Sequence, residues 1–259
     1  MQKNKIYNVD CRIGLDQMAV DGNFVDLCLT SPPYNIIRKG MADRGYDVYS
    51  DGVSNDTYVE WLCSIMQKVE KVLKPNGCIL LNLSYGGENT ECMHLAIADI
   101  IRKTTLTVAD VIVWEKPSAF PENMSPNKLT RICEFVYVIC RKSEVNSFYA
   151  NKVISSVRKT GQATYGVIFN RIRAKNNDEI CPLNKATFST ELCYRLFDIY
   201  APQNAFVLDP FMGTGTTAVA CVKRNYDFIG FELSEEQCKW ADKRIDNLKA
   251  QTTIFDLES

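Results

Sequence analysis

The chain has 259 residues, of which 46% are hydrophobic and 24% are charged, and its formal net charge is −1. This composition is typical of a globular protein with a substantial core, and it excludes disordered and collagen-like chains. Apolar runs such as Cys78–Leu81 fall far short of the roughly 20 residues that span a bilayer, and no secretory signal is evident, so we expect a cytoplasmic protein with no membrane segment.

Cysteine and histidine usage limits the chemistry of the chain. The eleven cysteines are scattered without a Cys-x-x-Cys pair, so the sequence predicts neither a disulfide framework nor a zinc site. His94 is the one histidine, which argues against histidine-based metal or triad chemistry.

Apolar periodicity predicts strands that alternate with helices in both halves of the chain. Asp56 is the predicted N-cap of the first helix, and Ser234 with Gln237 forms a capping box at the last one. Such alternation predicts a mostly parallel α/β sheet with helices on both faces. The predicted strands are Ile6–Val9, Phe24–Thr30, Ile79–Leu83, Val108–Trp114, Phe135–Cys140, Phe206–Asp209 and Phe228–Glu232, and the predicted helices are Tyr58–Leu73, Leu95–Ile101, Leu192–Tyr200, Thr216–Arg224 and Ser234–Leu248.

The α/β pattern lapses for about forty residues after Cys140, and this stretch is basic. Residues 141–177 hold eight lysines or arginines against a single acid, Glu144, which gives the segment a charge of +7. A basic island in an otherwise acidic chain indicates either a local anionic partner or a solvated surface loop.

A glycine-bearing turn follows the predicted strand Phe206–Asp209. Gly213–Ala218 matches the G-x-G-x-x-A pattern that brings a nucleotide cofactor against a helix N-terminus. Glu232 ends the next strand, where a carboxylate accepts hydrogen bonds from ribose hydroxyls. The pattern alone also fits a nicotinamide-dependent dehydrogenase, or a turn that only packs a helix on a strand. Proline directly after Asp209 is unusual ahead of a dinucleotide turn and argues against the dehydrogenase.

A second motif, Ser31-Pro-Pro-Tyr34, directly follows the strand Phe24–Thr30. The two prolines restrict the backbone, so the carbonyls of Ser31 and Pro32 become fixed acceptors beyond the strand end. With the Ser31 hydroxyl and the Tyr34 ring, they predict a pocket for a planar group that carries an exocyclic amine. A Pro-Pro turn with a packed tyrosine is the alternative, and the glycine turn in the same chain favours the pocket.

These two motifs, in this order, resemble the β-class of amino-group DNA methyltransferases, in which the catalytic Ser/Asp-Pro-Pro-Tyr segment comes first and the cofactor turn last. The resemblance covers most of the chain. It includes Asn8–Cys11, similar to the family's Gly-Asp-Cys strand end, Lys74–Leu81 and Trp114–Pro117, similar to the elements after the catalytic loop, and Cys181–Ala186, which keeps Pro182 and Lys185 of the family's His-Pro-Thr-Gln-Lys-Pro segment.

The resemblance implies a Rossmann-like, mostly parallel methyltransferase sheet with circularly permuted motif order and S-adenosylmethionine as the cofactor. Its expected parts are a catalytic half (1–140), a small basic target-recognition insert (141–180) and a cofactor-binding half (181–259). The implied catalytic residues are Ser31, Pro32, Pro33 and Tyr34. The implied cofactor-binding residues are Asp10, Thr30, Lys185, Asp209, Phe211, Gly213, Thr214, Gly215, Thr216 and Glu232.

The implied reaction is direct transfer of a methyl group to the amino nitrogen of a base flipped out of double-stranded DNA. Serine ahead of Pro-Pro-Tyr favours cytosine N4, with adenine N6 as the alternative. The loop Ile36–Asn55 either closes over the flipped base or is an ordinary surface loop. The insert supplies the expected DNA contacts, namely Arg158, Lys159, Arg171, Arg173 and Lys175.

Other functions remain open from the sequence. They are a dehydrogenase, a non-catalytic DNA-binding subunit, and a methyltransferase that acts on RNA or on a protein amide. A cognate restriction endonuclease and a homodimer are the further partners that the resemblance suggests.

Overall fold

The computed structural model describes residues 1–35, 52–84, 90–118, 126–178, 181, 184 and 187–257, with the backbone alone for 252–257. Its regular elements within these residues are ten strands, six α-helices and a short 3₁₀ helix, Lys142–Glu144. The strands are β1 (Lys5–Asn8), β2 (Val25–Thr30), β3 (Leu73–Leu83), β4 (Leu106–Glu115), β5 (Cys133–Arg141), β6 (Ile154–Val157), β7 (Ala163–Tyr165), β8 (Arg171–Arg173), β9 (Phe206–Asp209) and β10 (Asp227–Glu232). The helices are α1 (Cys11–Asp21), α2 (Asn55–Val72), α3 (Thr90–Lys103), α4 (Thr190–Tyr200), α5 (Thr216–Lys223) and α6 (Glu235–Leu257).

Eight of the strands form one sheet in the order β1-β10-β9-β2-β3-β5-β4-β8. The five strands from β1 to β3 run parallel to one another, whereas β5 is antiparallel to both of its neighbours and β8 is parallel to β4. The predicted mostly parallel α/β sheet is therefore confirmed. Because β1, β10, β9, β2 and β3 point the same way, their carboxyl ends meet along one edge of the sheet, where open α/β sheets bind ligands.

Helices cover both faces of this sheet, as the sequence predicts. Successive residues of a strand face opposite sides, so Leu27 and Leu29 of β2 join one core cluster and Cys28 joins the other. The first cluster packs against α4, α5 and α6, and the second against α1, α2 and α3. Burial on both faces explains why β2 and the Cys78–Leu83 part of β3 are nearly continuous apolar runs in the sequence.

Helix α1 is absent from the sequence prediction. Its buried positions include Cys11, Leu15 and Met18, but Ile13 and Val20 are exposed apolar residues on the same short helix. This mixture hides the helical period, because apolar side chains do not collect on one face.

Helix ends show one further difference from the prediction and one agreement. The N-cap of α2 is Ser54, whose hydroxyl accepts from the Thr57 amide at 3.1 Å, so the prediction of Asp56 was wrong by two residues. Ahead of α6, the Ser234 hydroxyl accepts from the Gln237 amide at 3.2 Å, which confirms the serine half of the capping box. The Gln237 side chain accepts a hydrogen bond from Asn184.

The basic stretch contains regular structure that its sequence does not reveal. Strands β6 and β7 form a separate two-stranded ribbon, and β8 extends the main sheet by pairing with β4. Strand β8 brings Ile172 into the core, so the end of the stretch is anchored on the main domain. No helix in the described part of the chain is long and apolar enough to cross a bilayer.

Candidate active site

The turn between β9 and α5 requires glycine. Both Gly213 and Gly215 have left-handed backbone conformations, with φ of 53° and 84°. A Cβ atom on Gly215 would lie 2.6 Å from the Cβ of Ala241, so α6 also leaves no room for a side chain there. Gly215 is the N-cap of α5 and offers no side chain to its first turn. The backbone of this turn is therefore open to close approach by a ligand, which fits a nucleoside-containing cofactor.

Glu232 lies at the end of β10 and contacts the glycine turn directly. Its Oε2 accepts a hydrogen bond from the Gly213 amide at 2.8 Å, and its Oε1 accepts one from the Ser234 amide at 2.9 Å. The side chain is half-buried at the carboxyl edge of the sheet. The predicted ribose acceptor thus also holds the shape of the turn beside it.

Asp10 follows β1, which pairs with β10 so that Asn8 lies opposite Glu232. Its carboxylate caps α1 by accepting from the Arg12 amide at 2.8 Å and also pairs with the Arg12 guanidinium. These hydrogen bonds from Arg12 lower the pKa of Asp10. The structure therefore places Asp10 near Glu232 and gives it a structural role as a helix cap.

Asp209 is a buried carboxylate at the end of β9. It accepts hydrogen bonds from the hydroxyl of Thr30 at 2.7 Å, from the hydroxyl of Thr217 at 2.6 Å and from the Phe211 amide at 3.0 Å. Burial raises its pKa to about 6, against the lowering effect of these hydrogen bonds. Asp209 thus ties the end of β2, the glycine turn and α5 together from below.

One small cavity, of about 40 Å³, joins the two predicted motifs. Ser31 lines it from the end of β2, and Phe211–Thr214 line it from the glycine turn. Asn184, Thr187 and Phe188 complete the wall, so the segment around Cys181–Ala186 reaches the site through residues that the motif match did not single out. Lys185, the predicted cofactor ligand of this segment, lies outside the described residues.

The Ser-Pro-Pro-Tyr segment is held from two sides. The Tyr58 hydroxyl donates to the Pro33 carbonyl at 2.6 Å, which ties the segment to α2. Asn35 follows with a left-handed φ of 54°, and its side chain bonds to Gly52 and Val53 across the base of the intervening loop. Within the described residues the Pro32 carbonyl accepts no hydrogen bond, which leaves it available as the fixed acceptor that the sequence predicts. Most of Ile36–Asn55, the loop that either closes over the flipped base or is an ordinary surface loop, lies outside the described residues.

A polar cluster surrounds the side chains of Ser31 and Tyr34. Tyr34 Oη lies 3.0 Å from Ser31 Oγ and 2.9 Å from Glu134 Oε2. Asn82 Nδ2 lies 2.7 Å from Tyr34 Oη, 3.0 Å from Glu134 Oε2 and 3.4 Å from Ser31 Oγ. Lys116 forms an ion pair with the other oxygen of Glu134. Ser31 and Tyr34 follow β2, Asn82 lies on β3, Glu134 lies on β5, and Lys116 directly follows β4.

An aromatic row borders the glycine turn. Trp61 of α2 lies between Tyr58 and Phe211, with ring centroids 5.5 Å from each. Trp61 is half-buried, so one part of its ring remains accessible. Edge-to-face and tilted ring contacts of this kind stabilise the position of Phe211 beside the cavity.

The five predicted DNA-contacting residues are exposed and fall into two groups. Arg158 and Lys159 lie at the tip of the β6–β7 ribbon. Arg171 and Arg173 lie on β8, where both form ion pairs with Glu115, yet 73% and 69% of their side chains remain accessible. Lys175 follows β8. The edge strand therefore presents a row of cations at the carboxyl side of β4.

Sequence reasoning missed Asn82, Glu134, Lys116, Trp61 and Asn184. Asn82 is the one polar residue within Cys78–Leu83, the part of β3 that is buried throughout, and this buried polar residue is the signal that could have found it. Glu134 and Lys116 stand at the ends of β5 and β4, and only the antiparallel pairing of these strands brings them together.

Comparisons with known proteins show the family of the chain. The DNA methylase family model for N6 and N4 methyltransferases matches residues 25–243. The type II methyltransferase M.BglII of Bacillus subtilis is 27% identical over 252 residues, which cover 90% of this chain and 66% of that protein, just under two thirds of its length.

Solved structures share the fold. The PvuII DNA methyltransferase, described as cytosine-N4-specific, has a TM-score of 0.70 at 18% identity, over 92% of this chain and 85% of that one. The M1.HpyAVI–SAM complex has a TM-score of 0.62 at 22% identity, over 93% of this chain and 97% of that one. Because the family model spans most of its length, the chain belongs to the N6/N4 DNA methylase family.

Proposed function

We propose that this enzyme methylates the N4 amino group of cytosine in double-stranded DNA. The observation that carries the proposal is the shared cavity, in which Ser31 of the Ser-Pro-Pro-Tyr segment faces the glycine turn Phe211–Thr214. An amine acceptor and a cofactor turn at one sheet edge are the two parts that direct transfer to a base requires.

The glycine turn and Glu232 are the proposed cofactor-binding residues. Bound there, S-adenosylmethionine supplies an electrophilic methyl group. Glu232 Oε2 and Oε1 accept hydrogen bonds from the Gly213 and Ser234 amides, and a carboxylate can accept several hydrogen bonds at once, so ribose hydroxyls can donate to it as well. We assign Thr30, Asp209 and Thr217 to the support of this turn, because their side chains bond to one another.

Ser31 and Pro32 are the proposed catalytic acceptors. The lone pair of a base amine is delocalised into its ring, which makes the nitrogen a poor nucleophile. Two acceptors on its N–H groups, Ser31 Oγ and the Pro32 carbonyl, pull the nitrogen toward a tetrahedral geometry and stabilise the positive charge that develops on it. The Tyr34 ring provides a surface on which a flipped base stacks.

The choice of cytosine rests on Ser31. Family members that methylate adenine N6 usually carry aspartate or asparagine at this position, and the PvuII enzyme of the same fold is described as cytosine-N4-specific. Adenine N6 is the alternative product, since both bases present an amino group beside a ring nitrogen.

We propose that the basic stretch binds the DNA. Arg171 and Arg173 lie on β8, the edge strand of the sheet, which pairs with the last residues of β4. Lys116, the ion-pair partner of Glu134, directly follows β4, so the two arginines lie on the same side of the sheet as this ion pair. Exposed arginines at this edge can contact phosphates or guanine edges. The relatives named type II methyltransferases make a cognate endonuclease a further proposed partner, to be tested by whether DNA modified by this enzyme resists cleavage by a candidate nuclease.

The test is mass spectrometry of nucleosides from DNA treated with the purified protein and S-adenosylmethionine, with Ser31→Ala as the matched control. We expect N4-methylcytosine from the wild type and far less from Ser31→Ala. N6-methyladenine would overturn the base assignment, and C5-methylcytosine would overturn direct transfer to an amine.

A further inference from the structure

The side chains of Ser31, Tyr34 and Glu134 form a continuous hydrogen-bonded chain from the cavity to a carboxylate. We propose that Glu134 is a positioning residue that orients both hydroxyl protons of this chain away from the substrate. Ser31 then presents only lone pairs to the substrate. This inference deepens the proposed function and rests on it.

The direction of the chain follows from the chemistry of its last member. A carboxylate can only accept hydrogen bonds, so in the 2.9 Å contact between Tyr34 Oη and Glu134 Oε2 the tyrosine must donate. Lys116 forms an ion pair with the other oxygen of the Glu134 carboxylate, and both side chains are largely buried, with 24% of the Lys116 surface and 15% of the Glu134 surface accessible. Glu134 therefore binds the single hydroxyl proton of Tyr34.

Because the Tyr34 proton is bound to Glu134, the direction of the hydrogen bond between Tyr34 and Ser31 is also determined. Tyr34 Oη has no second proton, so in its 3.0 Å contact with Ser31 Oγ it must accept and the serine must donate. The one proton of Ser31 thus points to Tyr34. What remains on Ser31 Oγ are two lone pairs. One faces Asn82 Nδ2 at 3.4 Å, and the other can accept a hydrogen bond from an amino group.

Asn82 holds the chain in this direction. Its amide orientation is determined because a nitrogen, not an oxygen, must face Glu134 Oε2 at 3.0 Å. The same nitrogen donates to Tyr34 Oη at 2.7 Å. Tyr34 Oη thus accepts from Asn82 as well as from Ser31, so its own proton is directed to Glu134. Asn82 is 2% exposed, and its Oδ1 is buried without a partner among the described residues. Burying this oxygen costs desolvation free energy, so the two N–H donors of Asn82 are what the site gains from the residue.

The arrangement has a chemical consequence for the proposed reaction. A serine hydroxyl by itself is ambivalent and can donate to a ring nitrogen as readily as it accepts from an amine. With its proton bound to Tyr34, Ser31 accepts only, and the negative charge of Glu134 at the end of the chain makes Ser31 Oγ a better acceptor as positive charge develops on the substrate nitrogen.

The test compares Glu134→Gln, Tyr34→Phe and the double variant. Glutamine has one acceptor oxygen where Glu134 has two, so it cannot accept from Lys116 and Tyr34 at the separate positions of Oε1 and Oε2, whereas phenylalanine keeps the stacking ring and removes the hydroxyl. We expect each single variant to lower kcat roughly tenfold or more while KM for DNA and the S-adenosylmethionine Kd stay within about twofold, since the interaction matters in the transition state. Because Glu134 acts through Tyr34, the double variant should be no slower than Tyr34→Phe alone.

Glu235→Gln is the matched control, because Glu235 is 69% exposed at the start of α6 and is not part of the cluster. Multiplicative losses in the double variant, or a wild-type kcat in Glu134→Gln, would overturn the inference. If Glu134→Gln does not fold, as judged by thermal unfolding, a wild-type kcat in Tyr34→Phe would still overturn it. A wild type that methylates no amino group would instead refute the proposed function, so the two failures are distinguishable.

Discussion

The hydroxyl of Thr30 donates a 2.7 Å hydrogen bond to Oδ1 of Asp209 and thereby joins the ends of two adjacent parallel strands, β2 and β9. Thr30 precedes the Ser-Pro-Pro-Tyr segment and Asp209 precedes the glycine turn. The bond is buried, since Thr30 is fully inaccessible and Asp209 nearly so. This single contact aligns the two halves of the site, which lie 179 residues apart in the chain.

Replacing this hydroxyl should therefore destabilise the protein. Thr30→Val keeps the shape but leaves a buried carboxylate with one partner fewer, so we expect the free energy of unfolding to fall by about 1 to 3 kcal/mol in urea denaturation. Thr107→Val on β4 is the control, because the Thr107 hydroxyl has no hydrogen bond among the described residues. Equal stability of the two variants would show that the Thr30–Asp209 bond contributes nothing.

Stability should also depend on pH through Asp209. Its pKa is raised to about 6 by burial, whereas in the unfolded chain it returns to about 3.9. Between these values the folded state holds the proton and the unfolded state does not, so the contribution of this group to stability rises as pH falls from about 7 to about 4.

The comparison with Asp209→Asn isolates this effect. We expect the stability of the wild type relative to Asp209→Asn to increase by about 1 to 3 kcal/mol when the pH is lowered from about 7 to about 4.5, as measured by denaturant unfolding at each pH. A difference between the two proteins that is constant with pH would refute the raised pKa.

Glu232 should control cofactor affinity. In Glu232→Gln one of the two backbone amides, Gly213 or Ser234, loses its acceptor, and so would the ribose in the proposed cofactor complex. We expect calorimetry to show S-adenosylmethionine binding weakened roughly tenfold or more, which corresponds to about 1.4 kcal/mol. Glu235→Gln, in the first turn of α6, should bind the cofactor normally. Unchanged affinity in Glu232→Gln would remove this residue from the cofactor site.

The arginines of β8 should control DNA binding. We expect the double variant Arg171→Ala/Arg173→Ala to weaken binding to a DNA duplex and to reduce the slope of log K against log salt by roughly one for each phosphate that the protein no longer neutralises. The substitutions also free Glu115 from both ion pairs, which adds repulsion toward DNA. S-adenosylmethionine affinity should not change.

Arg102→Ala is the matched control for that experiment, since Arg102 is an exposed arginine near the end of α3, on a helix rather than on the edge strand. If the β8 variant binds DNA as tightly as Arg102→Ala does, the basic stretch is a solvated surface loop and does not bind DNA. Weakened binding of both DNA and cofactor would indicate misfolding.

Local sequence determined much of this protein. Apolar runs and helical apolar periodicity indicated the central strands and most of the helices, because a strand buried on both faces must be apolar nearly throughout. The glycine turn could be predicted because Gly213 and Gly215 adopt left-handed conformations that other residues avoid. The fixed backbone of the Ser-Pro-Pro-Tyr segment could be predicted because prolines restrict the backbone wherever they occur.

What only the tertiary structure decided are contacts between distant polar residues. Glu134 reaches Tyr34 across 100 positions of sequence because β5 inserts antiparallel between β3 and β4, and Asn82 reaches Ser31 across 51 because β3 pairs in parallel with β2. Strand propensity does not encode this order or its register. Hydrogen-bond direction in the cluster depends on which acceptor each hydroxyl meets, so it exists only once the strands are paired, whereas the motifs that flank it are properties of the chain itself.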